Sequence, residues 1–101
     1  MEYLRVATYE IKAGSFEEVA EKARDGMLKT FKEQPGFIRY GLADIGNKKA
    51  LSISFWNTHK EADAATPVAA AWVQENLKDS VELKSTHVGD LAFLEGAPAK
   101  V

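Results

Sequence analysis

Apolar and polar positions alternate at the start of the chain. Between residues 2 and 11 the side chains fall into two sets, Leu4, Val6 and Thr8 on one side and Tyr3, Arg5, Ala7, Tyr9 and Ile11 on the other. That period of two, built from β-forming residues, predicts a strand. Neither set is purely polar, so both faces of the strand are expected to be covered. Ala13-Gly14 then turns the chain, and Ser15-Phe16-Glu17-Glu18 offers a capping box. In it, the Ser15 hydroxyl and the Glu18 carboxylate take up amide groups that a helix start leaves free. From Phe16 the period lengthens: Phe16, Val19, Ala20, Ala23, Met27 and Phe31 recur at spacings of three and four, with charged residues between them. One face of the predicted helix packs and the other is wet.

Gln34-Pro35-Gly36 stops that helix, because proline cannot continue the hydrogen-bond ladder and glycine accepts the positive φ of a cap. Phe37 to Ala43 reads as a second strand, Asp44 to Lys49 as a polar turn, and Ala50 to Trp56 as a third strand alternating Leu51, Ile53 and Phe55 against Ser52, Ser54 and Trp56. The two strands should form a hairpin. Thr58-His59-Lys60-Glu61 is a second capping box, opening an alanine-rich helix to about Lys78. Thr66-Pro67 should kink it or divide it in two, since an interior proline removes a donor and crowds the preceding turn. Val81 to Phe93 is the last strand, with a bulge expected at Gly89.

The order β-α-β-β-α-β predicts an α+β, ferredoxin-like domain. Right-handed crossovers place both helices on one face of a four-stranded antiparallel sheet. By this register the bare face carries Tyr3, Ala7, Tyr9 and Trp56, more apolar and aromatic surface than a monomer leaves in water. A second copy of the chain packed sheet to sheet, a homodimer, is the expected cover.

Length supports the same expectation. A chain of 101 residues is one domain with a thin core, burying about 60–65% of the surface its unfolded form exposes. The domain is expected over residues 1–95, followed by a loose tail at 96–101. With no cysteine, disulfides, thiolate nucleophiles and Cys-based metal sites are excluded. A net charge of −2, with Lys and Arg scattered among Asp and Glu, gives no positive field for nucleic acid or an anionic membrane. No apolar run reaches the roughly 18 residues of a membrane span. The start, Met1-Glu2-Tyr3-Leu4-Arg5, lacks the pattern of a signal peptide, so a cytoplasmic protein is expected.

The order of elements, the Gln34-Pro35-Gly36-Phe37 entry to the second strand and the Phe55-Trp56 end of the third resemble the antibiotic biosynthesis monooxygenase (ABM)-like family of dimeric α/β-barrel proteins. The resemblance runs from about Leu4 to Phe93. It implies a dimer that closes a barrel, an interior able to bind hydrophobic aromatics and, as in some members, oxygenation with neither metal nor flavin. Haem-degrading members of the wider group use an asparagine on the first strand and a tryptophan and histidine on the second helix. The Ala13-Gly14 turn and Trp56 align those positions with Ala7, Ala65 and Glu75, which removes that chemistry. Trp72 lies on the same helix two turns late.

Candidate chemistry follows from the strands. Arg5 beside Tyr3 and Tyr9, with Ala7 at the family's asparagine position, could hold a phenolate, enolate or carboxylate by charge-assisted hydrogen bonds; alternatively it pairs with a carboxylate across the dimer. Arg39 has the same two readings. Trp56 could line a cavity and stack on an aromatic ligand, or complete the core. Trp72, among alanines, fills space. His87 on the last strand could move a proton near neutral pH, or be a hydrogen-bonded structural histidine; His59 follows a cap and should be exposed. The catalytic candidates are therefore His87, Arg5 and Tyr9, and the substrate-binding candidates Tyr3, Ala7, Arg39 and Trp56. No metal site or cofactor is expected, since no nucleotide or phosphate-loop motif occurs. Two readings of function remain. One is a cofactor-independent monooxygenase-like enzyme for a small aromatic or polyketide-like compound, and the other a non-catalytic dimeric module that binds a small ligand or has a filled interior. A pocket of a few hundred cubic ångströms with Arg5 or His87 facing it separates them.

Overall fold

The structure, a computed structural model, describes residues 2–96. Of the tail expected at 96–101, all but Gly96 lies outside the described residues. Strands β1 (Tyr3–Ile11), β2 (Phe37–Gly46), β3 (Lys49–Trp56) and β4 (Val81–Asp90) form one sheet in the order β2-β3-β1-β4. All its neighbouring pairs are antiparallel. Helices α1 (Phe16–Lys22), α2 (Leu28–Lys32) and α3 (His59–Asn76) lie on one side. This is the α+β, ferredoxin-like arrangement that the sequence pattern predicts.

Both capping boxes start helices where expected. Ser15 Oγ accepts from the Glu18 amide at 3.2 Å, and Thr58 Oγ1 accepts from the Glu61 amide at 3.0 Å. Gly36 takes φ +79° at the entry to β2. The β2–β3 hairpin runs further than the polar turn suggests. Its tip is Asn47 and Lys48, both at positive φ (54° and 59°), the mirror-image turn that matches strand twist.

Three local expectations are corrected. The bulge of β4 falls at Lys84, not Gly89: Thr8 pairs with Ser85 and Tyr9 with Leu83, leaving Lys84 outside the pairing. Helix α3 runs unbroken through Pro67, so packing against the sheet outweighs the lost donor. The first helical rod is not uniform, because residues Ala23–Met27 between α1 and α2 form a π turn containing Gly26.

The larger correction concerns the faces of the sheet. Ala7 is fully buried, Trp56 likewise, and Tyr9 is 8% exposed. Ala7 and Tyr9 pack with Val19 of α1 and with Leu77 just past the end of α3; Trp56 packs with Phe31 of α2 and Ala62 of α3. The face holding Tyr3, Ala7, Tyr9 and Trp56 is therefore beneath the helices. Strand alternation places Leu4, Val6 and Thr8 of β1 and Leu51, Ile53 and Phe55 of β3 on the opposite, helix-free face. These six side chains are only partly buried. A period of two separates the faces but does not say which one the crossovers cover, and here both are apolar.

No helix among the described residues is long and apolar enough to cross a membrane.

Candidate functional site

A rung of four side chains, three of them polar, crosses the sheet beneath α3. Val88, Arg5, Ser54 and Tyr40 lie side by side on neighbouring strands, all pointing toward the helices. Arg5 is only 2% exposed. Its Nε donates to Thr66 Oγ1 at 3.0 Å, which ties β1 to α3 immediately before Pro67. Its buried Nη1 has no hydrogen-bond partner, and none of the ion pairs among the described residues involves it. A buried guanidinium with no counter-charge is costly, because the charge has left water and received little in return. Such an arrangement is suited to receiving an anion.

Space for one is adjacent. A groove of about 220 Å³ opens between α3 and β4, bordered by Arg5, Tyr9, Thr66, Val73, Lys78 and Leu83. The charged groups bordering it, Arg5 and Lys78, are both cationic, and no carboxylate lines it. Apolar walls with convergent donors favour an amphipathic anion over an inorganic one. Deeper under α3, between Tyr9, Tyr40, Ser52 and Trp72, lies a narrow cavity of about 20 Å³, room for one water.

The Tyr40 phenol is set by this interior. Burial pushes it up to about 12, while the Ser52 hydroxyl and the Arg5 charge pull the other way less strongly. Tyr40 thus remains a neutral O–H donor throughout the neutral range. Thr86, on the same face and opposite Ala7, has a buried hydroxyl with no partner among the described residues.

The sequence candidates divide between the two faces. Arg5, Ala7, Tyr9 and Trp56 are on the covered face, with Tyr3 at its edge, its ring edge-on to His59 at 6.3 Å. Trp56 serves the core: its Nε1 donates to Ser54 Oγ at 2.9 Å, and its ring meets those of Phe31 and Phe37 edge-on at 5.4 and 5.5 Å. Arg39 is elsewhere. It pairs in register with Phe55 on the helix-free face, lies over that ring at 5.0 Å, and forks onto the Glu2 carboxylate at 3.1 Å. His87 is opposite Val6 on the same helix-free face and is exposed, so the structure does not bring it together with Arg5 and Tyr9. Among the described residues, no group of three or more His, Asp or Glu is placed to hold a metal ion.

The sequence pattern does not mark Tyr40, Thr66 or Ser52 as site residues. Strict alternation from Phe37 would turn Tyr40 to the opposite face, but the register shifts between Phe37 and Arg39, so both aromatic rings face the helices. Thr66 reads only as part of the Thr66-Pro67 break until α3 is seen to continue. The two serines alternating with Leu51, Ile53 and Phe55 were a usable signal, since buried hydroxyls on a central strand need partners.

The family model described as antibiotic biosynthesis monooxygenase matches residues 3–75. No curated protein matches the chain by sequence. Among solved structures, SnoaB, a cofactor-independent oxygenase from Streptomyces nogalater, superposes with TM-score 0.68 at 17% identity, covering 97% of this chain and 98% of its own. HapK from Hahella chejuensis gives TM-score 0.68 at 14% identity, covering 98% and 100%. MupZ from Pseudomonas fluorescens gives TM-score 0.68 at 13% identity, covering 86% and 69%. At such identities the likeness is one of fold.

Proposed function

The chain belongs to the antibiotic biosynthesis monooxygenase family, and on that premise we propose that it is a cofactor-independent oxygenase for a small aromatic or polyketide-like carbon acid. The observation that carries the reading is Arg5: 2% exposed, with no carboxylate partner among the described residues, bordering a groove of about 220 Å³. Turned toward the groove, its guanidinium would bind the oxygen of a substrate enolate or phenolate, giving the buried Nη1 a partner and favouring ionisation by charge-assisted hydrogen bonding. Tyr9 borders the same groove and supplies a second phenolic donor. With His87 exposed on the other face, the substrate proton leaves to water, which restricts substrates to intrinsically acidic carbon acids.

The proposed reaction balances without an added reductant. The carbanion gives one electron to dioxygen, the carbon radical and superoxide join as a C–O bond, and a proton completes the hydroperoxide. Loss of water then leaves a carbonyl where a methylene stood, so that one dioxygen yields one product oxygen and one water. A covered site protects the radical pair from solvent.

The proposed working form is a homodimer through the helix-free faces. Leu4, Val6, Leu51, Ile53 and Phe55 form the apolar patch a second copy would cover.

The test is oxygen uptake with 2-tetralone and related enolisable aromatic ketones, with product mass read in parallel. Uptake with a mass gain of one oxygen less two hydrogens, lost in Arg5→Met, is the expected result. A second reading, a non-catalytic ligand-binding module, is favoured by the interior cavity of only about 20 Å³. Binding of these ketones without oxygen uptake would establish it and overturn the oxygenase.

A further inference from the structure

Three spaces lie in a row along α3. The Arg5 groove is at one side, the 20 Å³ cavity is in the middle, and an open groove of about 480 Å³ lies between α1, the π turn and the end of α3. Tyr9 and Val73 border the first two. Trp72 borders the last two. Its indole is thus the wall between the cavity and the open groove.

That wall is seated on backbone. A Cβ at Gly26 would come within 2.5 Å of Trp72 Cζ2 and 2.9 Å of its Nε1, so only a glycine lets the ring lie where it does. Gly26 belongs to the π turn, an irregularity that costs helix stability and commonly marks a functional position. The two tryptophans differ in how they are held. Trp56 is fully buried and donates to Ser54, whereas Trp72 is half-buried and its Nε1 has no hydrogen-bond partner among the described residues. Packing alone keeps the Trp72 ring in place, and packing on a glycine is easily exchanged for packing on something else.

Size decides what the exchange would admit. The cavity as it stands takes one water, whereas an apolar cavity needs roughly 150 Å³ to accept benzene. Displacing an indole vacates the volume of a fused two-ring system, and it joins the cavity to the open groove.

We propose that Trp72 is the movable wall of a second part of the substrate site, which binds a planar, fused, hydroxylated aromatic in the place the indole leaves. The ring packs against Leu42, Val73 and Leu77, which line the cavity, and its hydroxyl reaches Tyr9 or Tyr40. Tyr40 stays an O–H donor at neutral pH because burial holds its phenol near 12. This assignment rests on the oxygenase reading, in that the same ligand would present its acidic edge past Tyr9 to Arg5.

The experiment is a titration of the 15N-labelled full chain with 2-naphthol, following the two indole N–H signals, with Trp72→Phe to assign them. The expected result is that the Trp72 signal moves while the Trp56 signal stays. Trp72→Ala should bind 2-naphthol at least tenfold more tightly, since no ring has to be displaced. Gly26→Ala, which unseats the ring, should move affinity in the same direction. Retained dispersion of the amide spectrum shows that each variant is folded, and Trp72→Phe serves if Trp72→Ala is not. An unmoved Trp72 signal in the wild-type chain, or equal affinity in the folded variants, would overturn the proposal. If Arg5→Met abolishes oxygen uptake while the Trp72 variants bind and turn over as wild type, this inference fails and the oxygenase reading stands. Failure of every aromatic to bind any variant removes both.

Discussion

Arg5 Nε donates to Thr66 Oγ1 at 3.0 Å across the gap between β1 and α3, and this is the only partner the described residues give to the guanidinium of a residue only 2% exposed. Replacing a buried charge by an apolar chain of similar shape is often neutral or stabilising. Arg5→Met is therefore expected to leave the stability to urea within about 1 kcal/mol of wild type while abolishing binding of anionic aromatics. Arg5→Ala, which also deletes the packed stem, should cost roughly 2 kcal/mol or more. A large loss in Arg5→Met would make the residue a structural post instead of a ligand site.

Trp56 gives the opposite profile. It is fully buried, edge-on to Phe31 and Phe37, with its donor satisfied by Ser54. Trp56→Ala is expected to destabilise by about 3–5 kcal/mol. Ser54→Ala, which keeps the ring and orphans its N–H, should cost about 1–3 kcal/mol. Equilibrium denaturation of both variants checks the order, and Ser54→Ala should leave 2-naphthol affinity unchanged within a factor of two or so.

The helix-free face predicts an assembly. If Leu51, Ile53 and Phe55 are covered by a second copy, the wild-type chain sediments at twice its 11.1 kDa, and Ile53→Lys sediments at the single-chain mass while retaining its amide spectrum. Ile53 is only partly buried within one chain, so the lysine is tolerated by the monomer and rejected by the interface. A wild-type monomer at micromolar concentration would remove the dimer.

Much of this fold was legible because its signals are local. Ser15 and Thr58 satisfy amides three residues ahead, Gly36 adopts the positive φ its place requires, and the strand periods need only near neighbours. What escaped depends on contacts distant in sequence. Which face of β1 meets the helices is decided by crossovers, not by alternation, so alternation alone puts the face holding Tyr9 and Trp56 in the wrong layer. Arg5 was legible as a candidate because a charged residue interrupts an otherwise apolar set. Its partner Thr66 is 61 positions away, and nothing around Thr66 announces it. Tyr40 was hidden by a register shift, and the π turn by a helical period that looks continuous from Val19 to Phe31.

Gly36 separates strain from collision. Its φ is +79°, and a Cβ there would also press on the Glu61 carboxylate, the far end of a flexible side chain. Gly36→Ala is expected to destabilise by about 1–2 kcal/mol, the left-handed penalty for an L-residue. Adding Glu61→Ala should not restore the loss, since the backbone conformation persists. Recovery in the double variant, measured by thermal unfolding, would assign the cost to the collision.

His59 makes part of the stability depend on pH. The ring stands between two carboxylates, Nδ1 at 3.0 Å from Asp90 Oδ1 and Nε2 at 3.3 Å from Asp63 Oδ2, linking the end of β4 to the first turns of α3. The hydrogen bond with Asp90, helped by the charges of Asp63 and Asp90, raises the imidazole above its ordinary 6.5 despite some desolvation. A raised folded value means the folded state binds the proton more tightly than the unfolded one. The stabilisation is therefore complete below pH 6.5 and is lost as pH rises through the higher folded value. The ring is more than half exposed, so the effect is small and weakened by salt. Melting temperatures of wild type and His59→Gln should differ most below pH 6 or so and converge by about pH 8, with the acid-side gap narrowing in 0.5 M or so of salt. A gap that is constant with pH would mean that His59 contributes through its contact with Tyr3 and not through its charge.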